Sequence, residues 1–158
     1  MDESGKINEL RSQTGTGQPW MSRVFIVDDH RFFSYALTSL INTQADLSAC
    51  GVGHDEATAL DGIIRTSPDL VVMDMRMQAV DGLKMAAAVR RLSKAIPILF
   101  ISSLPNPSSQ QDIKWLEPCS FVEKTQDPVD IIRGIRQALA RYQVYQSLHQ
   151  TSTHTPKT

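Results

Sequence analysis

The stretch Leu70-Val71-Val72-Met73-Asp74 decides how this chain is read. Four consecutive apolar residues make a short strand covered on both faces, and such strands belong to parallel sheets wrapped by helices. A carboxylate at the tip of an apolar strand is costly unless polar groups meet it there. The flanking sequence therefore has to supply both the covering helices and the partners of Asp74.

Outward from this strand, strand and helix patterns alternate. Toward the N-terminus, Val24-Phe25-Ile26-Val27 is a second apolar strand, ending in Asp28-Asp29. Phe33, Ala36, Leu37, Leu40 and Ile41 then share one helical face. A weaker strand from Leu47 to Gly53 follows, and Ala57, Leu60, Ile63 and Ile64 form the next apolar face, with Asp55 as its N-cap and Pro68 as its end. Toward the C-terminus, the loop from Met75 to Val80 leads to Asp81-Gly82 and a helix over 83–93, whose alanine-rich centre suits close packing on a sheet. Ile96 to Ile101 form a fourth strand ending at Ser102-Ser103, with Pro97 near its start, where proline is tolerated. A turn at 104–107 and a short helix over 108–116 lead past Pro118 to a fifth strand over 120–123, which ends at Lys124. Asp127-Pro128 is an N-cap followed by proline at the first helical position, and Ile131, Ile135, Ala138, Tyr142 and Tyr145 line the last helix.

Five strand–helix pairs in strict alternation predict an α/β fold: a flavodoxin-like (βα)5 single domain, with a five-stranded parallel sheet and helices on both faces. The expected domain covers residues 21–147. Residues 1–20 and 148–158 are polar and aperiodic, and read as disordered tails. Met21, just ahead of the first strand, marks the leader as an optional start.

Composition narrows the function. The chain has 158 residues, 41% hydrophobic and 21% charged, which suits one globular domain. Its net charge of −1 lacks the basic surplus of a generic nucleic-acid binder. No apolar run is long enough to span a bilayer, and the Met-Asp-Glu opening lacks the regions of a signal peptide, so a cytoplasmic location and no membrane partner are expected. Cys50 and Cys119 have no metal-ligand spacing and read as reduced thiols.

The polar residues at the strand ends carry the chemistry. Asp28 and Asp29 end the first strand, Asp74 the third, Ser102 the fourth and Lys124 the fifth. In an open parallel sheet ligands bind outside the carboxyl ends of the strands, which gathers these five residues into one crevice. Two like carboxylates 4 Å apart cost about 4 kcal/mol at an effective dielectric of about 20. A divalent cation relieves that cost, and all-oxygen ligands favour a hard ion such as Mg²⁺. Lys124 is a mobile point charge suited to a phosphoryl oxygen, and Ser102 supplies a hydroxyl. Asp74 is then a carboxylate nucleophile of the kind that forms an aspartyl-phosphate. Taken singly, Asp29 also reads as a helix cap, Asp74 as a loop carboxylate and Lys124 as a solvated charge.

The stretches Val24 to His30, Asp74 to Gly82, Ile101 to Ser103 and Phe121 to Lys124 resemble the receiver domain of bacterial two-component response regulators over about residues 22–145. The Asp28-Asp29-His30 opening is similar to the NarL/FixJ type. The resemblance implies Asp28 and Asp29 as the metal-binding acidic pair, Asp74 as the phosphorylated residue and the backbone carbonyl of Arg76 as a further metal ligand. It implies Ser102 and Lys124 as phosphate contacts, with Ser102 and Phe121 as the switch pair that repacks a protein-binding face. It also implies a histidine kinase or phosphotransfer protein as phosphodonor and a downstream effector protein as partner. Where the family usually carries Met-Pro this chain has Met77-Gln78, and Pro118 stands where small residues are common.

The expectation is a single-domain response regulator that accepts phosphoryl groups in a Mg²⁺-dependent way, without substrate turnover beyond self-phosphorylation from small donors and autodephosphorylation. About ten polar residues follow the last helix, too few for a recognition helix, so no direct nucleic-acid contact is expected. Alternative readings are a receiver fragment of a NarL/FixJ-type transcription factor, forming a homodimer through its last helices, and a phosphorylation-independent adaptor on the receiver fold. An unrelated α/β phosphohydrolase is a further alternative, with no segment set aside for substrate specificity.

Overall fold

The computed structural model describes residues 20–103, 114–124 and 127–150. The apolar runs become the strands β1 (Ser22–Val27), β2 (Leu47–Gly53), β3 (Leu70–Asp74), β4 (Ile98–Ser102) and β5 (Cys119–Glu123). Between and after them lie α1 (Arg31–Asn42), α2 (Glu56–Thr66), α3 (Gly82–Leu92) and α4 (Pro128–Gln150). The strands form one sheet in the order β2-β1-β3-β4-β5, with every pairing parallel.

Alternate residues of each strand divide between two apolar layers. Val24, Ile26, Leu70, Val72, Leu99 and Ile101 face α1 and α4, where Leu37, Ile41, Ile131, Ile135 and Ala138 cover them. Phe25, Val27, Val71, Met73, Ile98 and Phe100 face α2 and α3, under Ala59, Ile63, Met85, Ala86 and Val89. Burying a side chain of this size contributes about 1.5–3 kcal/mol, so the two layers supply the main stabilisation of the fold.

Local signals fix where the helices begin. The Asp55 carboxylate accepts from the Thr58 amide (2.8 Å) and the Thr58 hydroxyl interacts back with the Asp55 amide, closing a capping box on α2. Asp81 caps α3 through the Leu83 amide (2.9 Å), and Asp127 accepts from the Val129 amide (2.9 Å) ahead of α4.

Several expectations shift. β4 begins at Ile98 and not at Ile96, after Pro97. Ala36 and Ala57 are exposed, as is Ile64, while Ala59, Gly62 and Ile63 are the buried residues of α2. Under α2, the Phe25 ring fills the space beside Gly51 and Gly62; a Cβ on either glycine would lie 2.6 Å or 2.5 Å from that ring. The glycines that make β2 read as weak are what admit the ring. The turn expected at 104–107 and residues 108–113 of the helix expected over 108–116 lie outside the described residues, and Lys114 to Leu116 form a single 3₁₀ turn. α4 continues to Gln150, past the boundary expected at 147, while the tails at 1–19 and 151–158 lie outside the described residues.

Candidate functional site

The strand order places β3 beside β1, and the register sets Val27 opposite Met73. Asp28 and Asp74, the next residue of each strand, therefore emerge side by side at the carboxyl edge. Asp28 and Asp74 are buried and Asp29 is half-buried. The three side chains offer carboxylate oxygens that lie within 4.8 Å of one another.

β5 brings the compensating cation. Parallel pairing with β4 aligns Ser102 with Glu123, and the Lys124 amide donates to the Ser102 carbonyl at 2.6 Å. From that anchor the Lys124 ammonium reaches across the crevice to Asp28 Oδ2 (3.0 Å) and Asp74 Oδ2 (3.1 Å). The face of Phe33, in the first turn of α1, covers the same ammonium, with the ring centroid 4.0 Å from Nζ. The buried Ser102 completes the rim at the end of β4.

Backbone amides hold the other carboxylate oxygens. Asp28 Oδ1 accepts from the His30 amide (2.8 Å), and Asp74 Oδ1 from the Arg76 amide (3.0 Å). Asp29 Oδ2 accepts from the Gln78 amide (2.6 Å), which ties the β1–α1 turn to the β3–α3 loop. Asp29 is thus not the cap of α1; His30 holds that position without a side-chain hydrogen bond. Each of the two buried acids keeps one oxygen on an amide and one on Lys124.

Burial pushes the Asp28 carboxyl above the ordinary aspartate range, against the His30 amide and the Lys124 ammonium, which pull it down; the neighbouring Asp74 adds to the rise. The Asp28 carbonyl oxygen accepts from His54 Nδ1 at 2.8 Å. A carbonyl can only accept, so the neutral ring carries its proton on Nδ1. The loop after β3 is closed by the Gly82 amide, which donates to the Met75 carbonyl (3.1 Å), and by an antiparallel bridge between Arg76 and Asp81. A Cβ on Gly82 would sit 2.5 Å from the Asp74 carbonyl oxygen, so the loop needs glycine there.

The structure brings Asp28, Asp29, Asp74 and Lys124 together, with Ser102 on the adjoining strand end. Arg76 is exposed next to the cluster, with its amide engaged by Asp74. Phe121 lies one layer below and stacks on Phe100, with ring centroids 5.0 Å apart and planes 17° from parallel. Two neighbours of the cluster escaped the sequence reading. Phe33 sits at helical spacing with core residues and was assigned to the core face. His54 lies at a turn after β2 and carries no motif of its own.

The acidic cluster and its bridging lysine lie outside the carboxyl ends of the strands, where parallel α/β sheets place their ligand crevices. Comparison with known proteins identifies the family. Residues 24–136 match the family model of the response regulator receiver domain, and the chain belongs to that family. It is 34% identical over 115 residues to a protein-glutamate methylesterase/protein-glutamine glutaminase of Geobacter metallireducens, covering 73% of this chain and 31% of the relative. The chain spans about a third of the length of the curated relatives it matches. Among solved structures, the receiver domain of the putative response regulator NarL from Mycobacterium tuberculosis matches with TM-score 0.66 at 26% identity, over 77% of this chain and 98% of that one. The response regulator domain of CheB from Thermotoga maritima shares the fold with TM-score 0.58 at 22% identity, over 86% and 99%. No helix among the described residues is long and apolar enough to cross a membrane.

Proposed function

We propose that Asp74 is the phosphoacceptor of a two-component response regulator, and that Asp28, Asp29 and the Arg76 carbonyl, together with Asp74, hold Mg²⁺. The observation that carries this reading is the Lys124 ammonium set between Asp28 and Asp74, at 3.0 Å and 3.1 Å. An oxygen-only set of three carboxylates suits a hard divalent ion better than a thiophilic one. When bound, the ion supplies electrostatic neutralisation of the transferring phosphoryl oxygens.

The residues of the chain account for the rest of the transfer. The His30 and Arg76 amides fix the two buried carboxylates, so Asp74 meets the donor without reorganising. An Asp74 oxygen forms the new bond to phosphorus as the donor's P–N or P–O bond breaks, and the electron pair leaves with the donor's imidazole or carboxylate. Lys124 exchanges a carboxylate for the incoming phosphoryl oxygen and follows the charge. Ser102 hydrogen-bonds the product phosphate, and Phe121 moves from its stack on Phe100 to change the face around β5.

The finer assignments belong to the same reading. The donor is a histidine kinase or phosphotransfer protein, the readout is an effector protein docking on the altered face, and both meet this domain, over about 21–147, in the cytoplasm. The domain is a phosphoacceptor with no substrate turnover of its own; the methylesterase and glutaminase activities named for its relatives stay with them. A homodimer through α4 is supported by Val144 and Leu148, exposed one turn apart on that helix.

Labelling with acetyl phosphate in Mg²⁺ tests the proposal. Intact-mass analysis should show one added phosphoryl group on wild type and none on Asp74→Asn. Full labelling of Asp74→Asn, or no labelling of wild type, sinks it.

A further inference from the structure

Lys124 has a long flexible stem and three N–H donors. Two donors are taken by Asp28 and Asp74, and the ammonium also lies over the face of Phe33. The lysine side chain is only 15% exposed. Phe33 is half-buried and packs against the β1–β3 core, so its ring is held by its surroundings and not by the lysine. It also sits in the first turn of α1, directly after the Asp28-Asp29-His30 turn. One rigid corner therefore positions the acidic pair and the aromatic face together.

We infer that Phe33 is a positioning residue for Lys124: its π-face is the third side of a cradle that aims the ammonium at the phosphoryl group entering at Asp74. The inference deepens the phosphoacceptor reading and rests on it. An aromatic face suits this role for an electrostatic reason. Its quadrupole attracts a cation within about 6 Å of the ring centroid but carries no net charge. A third carboxylate in the same place would hold the lysine as well, but it would neutralise the ammonium and repel a phosphoryl group. The ring restricts the side chain while leaving its charge available. An aliphatic residue of similar volume would fill the space and lose the attraction.

The test separates shape from electrostatics by replacing Phe33 with its 4-fluoro, 3,5-difluoro and pentafluoro analogues in the full chain. Fluorine withdraws density from the face and changes the outline little. Initial labelling rates with acetyl phosphate should fall stepwise along the series, by about 2- to 30-fold in total, the range that a cation–π contact spans. The far-ultraviolet circular dichroism spectrum should stay that of wild type along the series. Phe33→Trp should retain labelling, and Phe33→Leu should lose as much as the fully fluorinated ring.

A second readout does not involve phosphorylation. The ring should shift the Lys124 ε-methylene protons upfield in the nuclear magnetic resonance spectrum, and Phe33→Leu should abolish that shift. A flat rate along the series, or Lys124 protons without a ring-current shift, overturns the inference. A wild type that takes no label while its Lys124 protons still report the ring supports the cradle and overturns the phosphoacceptor reading.

Discussion

Replacing Arg90 should damage this fold more than replacing any other cation on a helix surface. Arg90 is 8% exposed, and its guanidinium points back from the last turn of α3 into the start of β5. Nε and Nη2 donate to the Leu116 carbonyl at 2.9 Å and 2.7 Å, Nη2 to Pro118 at 2.9 Å, and Nη1 to Ile96 at 2.6 Å. Burial lowers its pKa from the usual arginine value, the sign of a cation taken out of water, and the groups that hold it are backbone carbonyls. Arg90→Met leaves the Ile96 and Leu116 carbonyls without this donor, at about 1–3 kcal/mol each, while Pro118 keeps the Ile98 amide at 3.1 Å. Removing the buried charge returns part of this as relieved desolvation, so the net loss should be about 1–4 kcal/mol. Arg90→Lys should be no milder, because one ammonium cannot reach the carbonyls of Ile96, Leu116 and Pro118 together and its charge stays buried. Urea denaturation of the three proteins checks this. A loss below about 1 kcal/mol in Arg90→Met, or a lysine variant as stable as wild type, would refute the reasoning. The damage should reach the site as well: β5 is an edge strand paired with β4 alone, and Lys124 follows its last residue.

Other outcomes follow from particular contacts. Gly82→Ala forces a Cβ to 2.5 Å from the Asp74 carbonyl oxygen and 2.7 Å from Met75 Cα, both backbone atoms, so it should cost about 1–3 kcal/mol in denaturation and slow labelling of Asp74. Arg136 grips Asp46 with two bonds of 2.8 Å and holds its carboxyl below the ordinary range. A lowered folded-state pKa stabilises above the unfolded value and is lost as pH falls through the folded one. The stability gap between wild type and Asp46→Asn should therefore be steady above about pH 5 and close in acid; a gap that widens in acid contradicts the assignment. Lys124→Met should raise Mg²⁺ affinity in calorimetry, because the ammonium no longer competes for Asp28 and Asp74, while phosphoryl labelling falls. Parallel changes in both would argue against the proposed division of labour.

The apolar runs determined much of this protein without help from the tertiary structure. Strands such as Leu70 to Met73 are apolar on both faces because both faces are covered, and that pattern is local. The residue after each run must then leave the sheet at one edge, which is why Asp28, Asp74, Ser102 and Lys124 could be gathered from sequence alone. Caps such as Asp55 and Asp127 were legible for the same reason, since a cap acts over three residues.

Tertiary structure decided everything that depends on distance across the chain. The buried face of α2 takes in the Phe25 ring beside Gly51 and Gly62, which helical periodicity could not anticipate. Arg90 reads as an ordinary basic residue in a last helical turn until the carbonyls of Leu116 and Pro118 surround it. Phe33 has the spacing of a core residue, and only the meeting of α1 with the end of β5 turns its face into a support for Lys124. Periodicity records whether a side chain is apolar and roughly where it points. It cannot record which charge, from 91 residues further along, arrives against it.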